Sequence, residues 1–135
     1  MGTKSVEIAM AFVEAVNAGS VVRLGELMAE DHVFIDSDGQ EYSGRPRMIQ
    51  GWSEYFAMAP DYKIIIKEVL ASAGTVLMTG EAEGTFVQDG LLKPENRWRV
   101  PAAWRAVVRD GQVANWQVYV NPELMANILK RVREE

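Results

Sequence analysis

The sequence predicts an α+β fold, and three observations predict it. Apolar residues recur at helical spacing over the first part of the chain, up to Pro60. From Tyr62 onward the period changes from about 3.6 to about 2, the period of strands. Turn residues, above all Asp110-Gly111, separate the alternating runs. Helices grouped first and antiparallel strands grouped after them define α+β rather than alternating α/β.

The first helix runs from about Ser5 to Ala18. Val6, Ala9, Met10, Val13 and Val16 make its apolar stripe, with Phe12 beside it. Gly19 suits the C-terminal cap, where backbone turns left-handed. Ser20 caps a second helix whose apolar face is Val21, Leu24, Leu27 and Met28. A strand follows over about Asp31 to Ser37 and ends in a turn at Asp38-Gly39. The third helix starts after Gly44, with Pro46 in its first turn, where a missing N–H costs nothing. Met48, Ile49, Trp52, Tyr55, Phe56 and Ala59 form its stripe, and Pro60 stops it.

Four long strands are expected over Tyr62–Leu70, Thr75–Val87, Arg97–Val108 and Val113–Asn121. Asn121-Pro122-Glu123 opens a short last helix with a cap, a first-turn Pro and an acid at its positive end. Alternation puts Val76, Met78, Gly80, Ala82 and Phe86 on one face of the sheet. Trp98, Val100, Ala102, Trp104 and Ala106 share that inner face, as do Trp116, Val118 and Val120. Glu81, Glu83, Arg97, Arg99 and Arg105 take the outer face, where opposite charges pair across strands. Small residues at Gly80 and Ala82 leave room for a helix or for a ligand.

Composition excludes several function classes. At 135 residues, with 48% hydrophobic and 24% charged residues, the chain reads as one globular domain, residues 1–135. The net charge of −5 argues against nucleic acid or an anionic membrane surface as partner. No apolar run is long enough to span a bilayer, and the amphipathic N-terminus is not a signal peptide. Cysteine is absent, which excludes a disulfide, a thiol nucleophile and a thiolate metal site, and fits a cytoplasmic protein. With one His and no Cys the usual zinc sets are missing, so no metal and no cofactor are expected. There is neither a phosphate-binding Gly-rich loop nor a Gly-x-Ser-x-Gly elbow.

The order of elements, with Asn17-Ala18-Gly19, Met28 to Phe34, Ser43-Gly44-Arg45, Asp110-Gly111 and Trp116 to Tyr119, resembles the nuclear transport factor 2-like superfamily. Its SnoaL-like branch is most similar. The resemblance covers nearly the whole chain. It implies a cone-shaped, curved antiparallel sheet wrapped around the N-terminal helices, a deep pocket and a homodimer. Members include ketosteroid isomerases, limonene epoxide hydrolases, polyketide cyclases, scytalone dehydratases and non-catalytic transport factors, so fold alone leaves function open. Asp36 falls where a ketosteroid isomerase has its general base. The first helix offers Phe12 in place of the oxyanion-holding Tyr, and the strand offers Ala103 or Trp104 in place of the protonated Asp. Steroid isomerisation is therefore not expected. Gly80, Ala82 and Val118 stand where an epoxide hydrolase needs an Arg and two Asp. A scytalone-dehydratase-like site needs several His, and this chain has one.

Asp36 is the first candidate catalytic residue. A carboxylate in an apolar pocket is desolvated, which raises its pKa toward that of a useful base. The alternative is a strand-end Asp that turns the chain with Asp38-Gly39. His32 shares the parity of Phe34 and Asp36 and is the second candidate, although four strand residues separate the two by roughly 13 Å. Phe12, Phe34, Trp52, Tyr55, Phe56, Trp104, Trp116 and Val118 are expected to line a pocket for a small apolar or polycyclic ligand. Tyr42, Tyr62 and Tyr119 are expected at edges or an interface. Two functions fit: cofactor-free proton abstraction next to a carbonyl with Asp36 as base, or non-catalytic binding of a ligand or partner.

Overall fold

A computed structural model describes residues 2–134 of the protein. Helix α1 (Gly2–Asn17) and helix α2 (Val21–Leu27) lead into strand β1 (Met28–Ile35) and a short strand β2 (Glu41–Ser43). Helix α3 (Arg45–Met58) precedes four long strands: β3 (Lys63–Ser72), β4 (Thr75–Thr85), β5 (Arg97–Arg109) and β6 (Gln112–Val120). A 3-10 turn at Pro94–Asn96 precedes β5, and helix α4 (Glu123–Glu134) follows β6. The strands form one curved, unclosed sheet in the order β2-β1-β6-β5-β4-β3. The sheet is mixed rather than wholly antiparallel, because β1 runs parallel to β6.

Local chemistry sets the boundaries. The α1 C-terminus turns at Gly19, whose φ of 63° a Gly adopts without a Cβ penalty. Asn17 then fixes α1 to the sheet: its Nδ2 donates to the Ile64 carbonyl at 2.9 Å, and its Oδ1 accepts from Ile64 N–H at 2.7 Å. The Ser20 hydroxyl accepts from Arg23 N–H as the cap of α2. Helix α2 stops sooner than its apolar face suggests, because Met28 and Ala29 are already extended. Asp110 and Gly111, at φ 53° and 76°, make the tight β5–β6 hairpin.

The core lies between the helices and the inner face of the sheet. Ala9, Phe12, Val13 and Val16 of α1 are buried, as are Leu24 and Leu27 of α2 and Met48 and Trp52 of α3. Val6 and Met10 pack at the margin of that core. The alternation in β4 to β6 holds: Val76, Met78, Ala82, Trp98, Trp104, Ala106 and Trp116 all face inward and are buried. On the outer face Glu81 takes Arg99 at 2.7 Å and Lys67 at 2.9 Å, while Glu83 takes Arg97. The Arg99 hydrogen bonds, then that of Lys67, pull the Glu81 carboxyl down to about 2.

Gly80 has a different role from the one its inner-face position suggests. A Cβ there would lie 1.8 Å from the Ile65 carbonyl oxygen. The register of β3 against β4 shifts between Ile66 and Glu68, opposite Gly80 and Thr79. Gly80 therefore makes room for the bulged backbone of β3, not for a helix or a ligand.

Candidate functional site

A cavity of about 660 Å³ opens between α3, α4 and the inner face of the sheet. Sequence and packing give it aromatic walls. Trp52 comes from α3, Trp98 and Trp104 from β5, and Trp116 from β6. These are all four tryptophans of the chain. Tyr55 joins from the next turn of α3, and Tyr62 from the segment entering β3. Their rings meet edge to face with centroids 5.0 Å apart, and Tyr62 lies 5.8 Å from Trp98. Such contacts fix ring orientation as well as burying area. Small or aliphatic side chains, Ala82, Val118 and Met125, complete the interior. Exposed Arg47, Gln50 and Glu54 and half-buried Asp36 and Tyr42 form a polar rim. The Arg47 guanidinium lies 5.0 Å from the Tyr42 ring centroid, a cation–π contact.

The polar atoms inside are donors. Trp52 and Trp98 are buried, and their Nε1–H groups find no partner among the described residues. The Tyr55 and Tyr62 hydroxyls also make no hydrogen bond among the described residues, although Tyr62 is only 9% exposed. Burial pushes both phenols well above the ordinary tyrosine value, and Tyr62 adds a smaller push on Tyr55. Both stay protonated, so each has an O–H to give.

Asp36 lies at the rim, and its carboxylate is already engaged. Oδ1 accepts from the backbone N–H groups of Asp38 at 2.9 Å and Gln40 at 3.0 Å. Oδ2 accepts from the Tyr42 hydroxyl at 3.2 Å. The first pair is the Asx-type turn expected before Gly39, whose φ is 83°. Position at the rim and the turn bonds are thus both present in one side chain.

The structure brings Asp36, Phe34, Trp52, Tyr55, Trp104, Trp116 and Val118 to this cavity. His32, Phe12 and Phe56 are not among its lining residues. Phe12 fills the space behind the wall, 4.4 Å from the Trp116 ring and 6.0 Å from that of His32. Phe56 packs on Trp52 at 5.5 Å. His32 is drawn away by an irregularity in β1, where Met28 pairs with Val113 but Val33 pairs with Asn115. Three residues of β6 thus span six of β1. The side chain of His32 closes the gap: Nδ1 lies 2.7 Å from the Val113 carbonyl, which only accepts, so Nδ1 carries the proton. His32 thus keeps its buried parity but packs on Phe12, behind the cavity wall.

Tyr62, expected at an edge or interface, is instead buried in the cavity wall. Its parity with buried Ile64 was the available signal. The rim residues Tyr42 and Arg47 had no sequence signal, because they sit in and after the short strand β2. Among the described residues no group of three or more His, Cys, Asp or Glu side chains is placed to hold a metal ion. No described helix is long and apolar enough to cross a membrane.

An open sheet folded over its helices, with an aromatic cavity between, defines a pocket-bearing α+β protein of the nuclear transport factor 2-like superfamily. Within it the chain belongs to the SnoaL-like domain family, whose profile matches residues 9–116. No curated protein matches the sequence at a significant level. Solved structures share the fold at low identity. A candidate SnoaL-like polyketide cyclase of Shewanella denitrificans is 14% identical with a TM-score of 0.79, over 94% of this chain and 97% of that one. An LEH-like epoxide hydrolase of M. tuberculosis is 18% identical with a TM-score of 0.75, over 97% and 92%. A protein of Catenulispora acidiphila with a ketosteroid isomerase-like fold, solved with trimethylamine, is 22% identical with a TM-score of 0.71, over 84% of each.

Proposed function

We propose that the protein binds a small, flat, mostly apolar molecule in the cavity walled by its tryptophans. The observation that carries this reading is the cavity itself: about 660 Å³, open to solvent and lined by Trp52, Trp98, Trp104 and Trp116. A volume of this size suits a drug-sized ligand and far exceeds the packing voids of a protein core. Stacking on fixed rings then adds to simple area burial. Calorimetric titration with the bicyclic hydrocarbon tetralin tests it. Saturable binding is expected for the wild type, and its loss in Val118→Trp, which fills the interior. No heat of binding, or equal heats for the two proteins, contradicts the reading.

A second reading adds catalysis, and the rim position of Asp36 favours it. Oδ2 of Asp36 keeps a lone pair beyond the one that Tyr42 uses. The chemistry would be cofactor-free proton abstraction next to a ligand carbonyl, as in isomerisation, cyclisation or dehydration. The exchange of β-tetralone α-protons into heavy water, followed by proton NMR, measures that step. Acceleration by the wild type and its loss in Asp36→Asn support the base. Equal rates with and without protein leave binding as the function. The outer sheet face, with exposed Leu70, Leu77 and Tyr119 among the paired charges, is our candidate contact with a second copy. Sedimentation of the wild type and of Leu77→Glu tests it, a dimer being expected only for the first.

A further inference from the structure

We propose that Tyr55 and Tyr62 form a donor pair that seats one oxygen of the ligand, the carbonyl or enolate oxygen of a flat bicyclic or polycyclic molecule. This rests on the cavity being the ligand site and adds what its walls select. The argument starts from hydrogen-bond bookkeeping. A buried donor without a partner is rare, because leaving it unmade costs free energy. Six Trp and Tyr donors line this cavity with no hydrogen-bond partner among the described residues: the two phenol O–H groups and the Nε1–H groups of Trp52, Trp98, Trp104 and Trp116. Apart from the two phenol oxygens themselves, no oxygen or nitrogen acceptor side chain of the described residues lines the interior. Asp36 and Glu54 are at the rim, where Asp36 is held by its own turn and Glu54 takes the Gln50 amide. A hydrocarbon would leave every one of these donors unpaired. An acceptor-bearing ligand satisfies them.

Of the six, the two tyrosines are the accessible donors whose rings touch each other. The Trp52 and Trp98 nitrogens are fully buried, whereas neither tyrosine oxygen is among the sealed, unpartnered atoms. The perpendicular rings of Tyr55 and Tyr62, 5.0 Å apart, are held by Trp52 on one side and Trp98 on the other. Preset donors lose little entropy when the ligand arrives. Neutral phenols also hold a developing enolate better than the ground-state carbonyl, because a charged acceptor takes the stronger bond. The pair would therefore serve catalysis as well as binding, without a proton leaving either tyrosine.

The test compares α-tetralone with tetralin, which share a skeleton and differ by one carbonyl. Calorimetric titrations are run on the wild type, Tyr55→Phe, Tyr62→Phe and the double variant. The wild type is expected to prefer the ketone. Each single substitution should weaken α-tetralone binding by roughly two- to tenfold, the worth of one hydrogen bond, and leave tetralin unchanged. The double variant should bind the two alike. In carbon NMR the carbonyl resonance of bound α-tetralone should move downfield, and should move back in the double variant. Because neither hydroxyl has a partner among the described residues, both substitutions should leave the thermal midpoint unchanged, which separates this role from a structural one. Equal binding of ketone and hydrocarbon by the wild type, with no effect of either substitution, overturns the inference and leaves the cavity reading standing. Binding of neither compound overturns both.

Discussion

His32 makes the stability of this protein depend on pH through one core side chain. It is 0% exposed, its Nδ1–H is committed to Val113, and its Nε2 has no partner among the described residues. A second proton would put a charge among Phe12 and its neighbours. Burial pushes the imidazole below its ordinary value of 6.5, and the Val113 hydrogen bond and the Asp31 charge oppose this without overcoming it. The unfolded chain thus takes up its proton as the pH falls through 6.5, and the folded chain does so only lower. The sign follows: the contribution of neutral His32 is fully present above pH 6.5 and is lost as the pH falls from there toward the folded value. One proton per molecule corresponds to about 1.4 kcal/mol for each pH unit in that window. His32→Phe keeps the ring against Phe12 but removes the hydrogen bond to the Val113 carbonyl, at about 0.5–1.5 kcal/mol near neutrality. It also removes the titration. Urea unfolding of both proteins from about pH 8 to about pH 5 spans the range where His titrates and reads both effects. The wild-type advantage should be largest above pH 6.5 and shrink below it. Identical pH slopes for the two proteins would refute a neutral His32 in the core.

Two further outcomes follow from the geometry. Gly80→Ala puts a Cβ against the Ile65 carbonyl oxygen, a backbone atom that cannot rotate away, so β3 must shift. A loss of about 3 kcal/mol or more is expected in urea unfolding, the upper end for overpacking; a loss under about 1 kcal/mol would mean the bulge is soft. Asp36→Asn keeps an Oδ1 to accept from Asp38 and Gln40, so its stability should stay within about 1 kcal/mol, whereas Asp36→Ala loses both bonds and should cost about 1–2 kcal/mol in the same assay.

Periodicity revealed the elements whose physics is local. The stripe of α1, the alternation of β4 to β6 and the Asp110-Gly111 hairpin each depend on residues a few positions apart. So did most of the cavity wall, since Trp104, Trp116 and Val118 sit on one parity of a regular pleat. What stayed hidden depends on distant backbone. The parallel pairing of β1 with β6 joins segments some eighty residues apart, and nothing local marks it. Its irregular register and the hydrogen bond to Val113 leave His32 packed on Phe12 behind the cavity wall, although it is buried on the face that parity assigns it. Gly80 looked like space for a ligand because its obstacle is the bulge of a neighbouring strand. Phe12 and Phe56 carry the same apolar signal as the lining residues, and only the packing shows that they stand behind the wall.

All four tryptophans line the cavity, so fluorotryptophan labelling gives four resonances that all report on it. Fluorine NMR during a titration with α-tetralone tests the central claim most directly. The account predicts that all four signals move together and saturate at one ligand per chain, and that none of the five signals of Val118→Trp moves. Signals that stay fixed at saturating ketone, or that move in the filled variant as in the wild type, would contradict it.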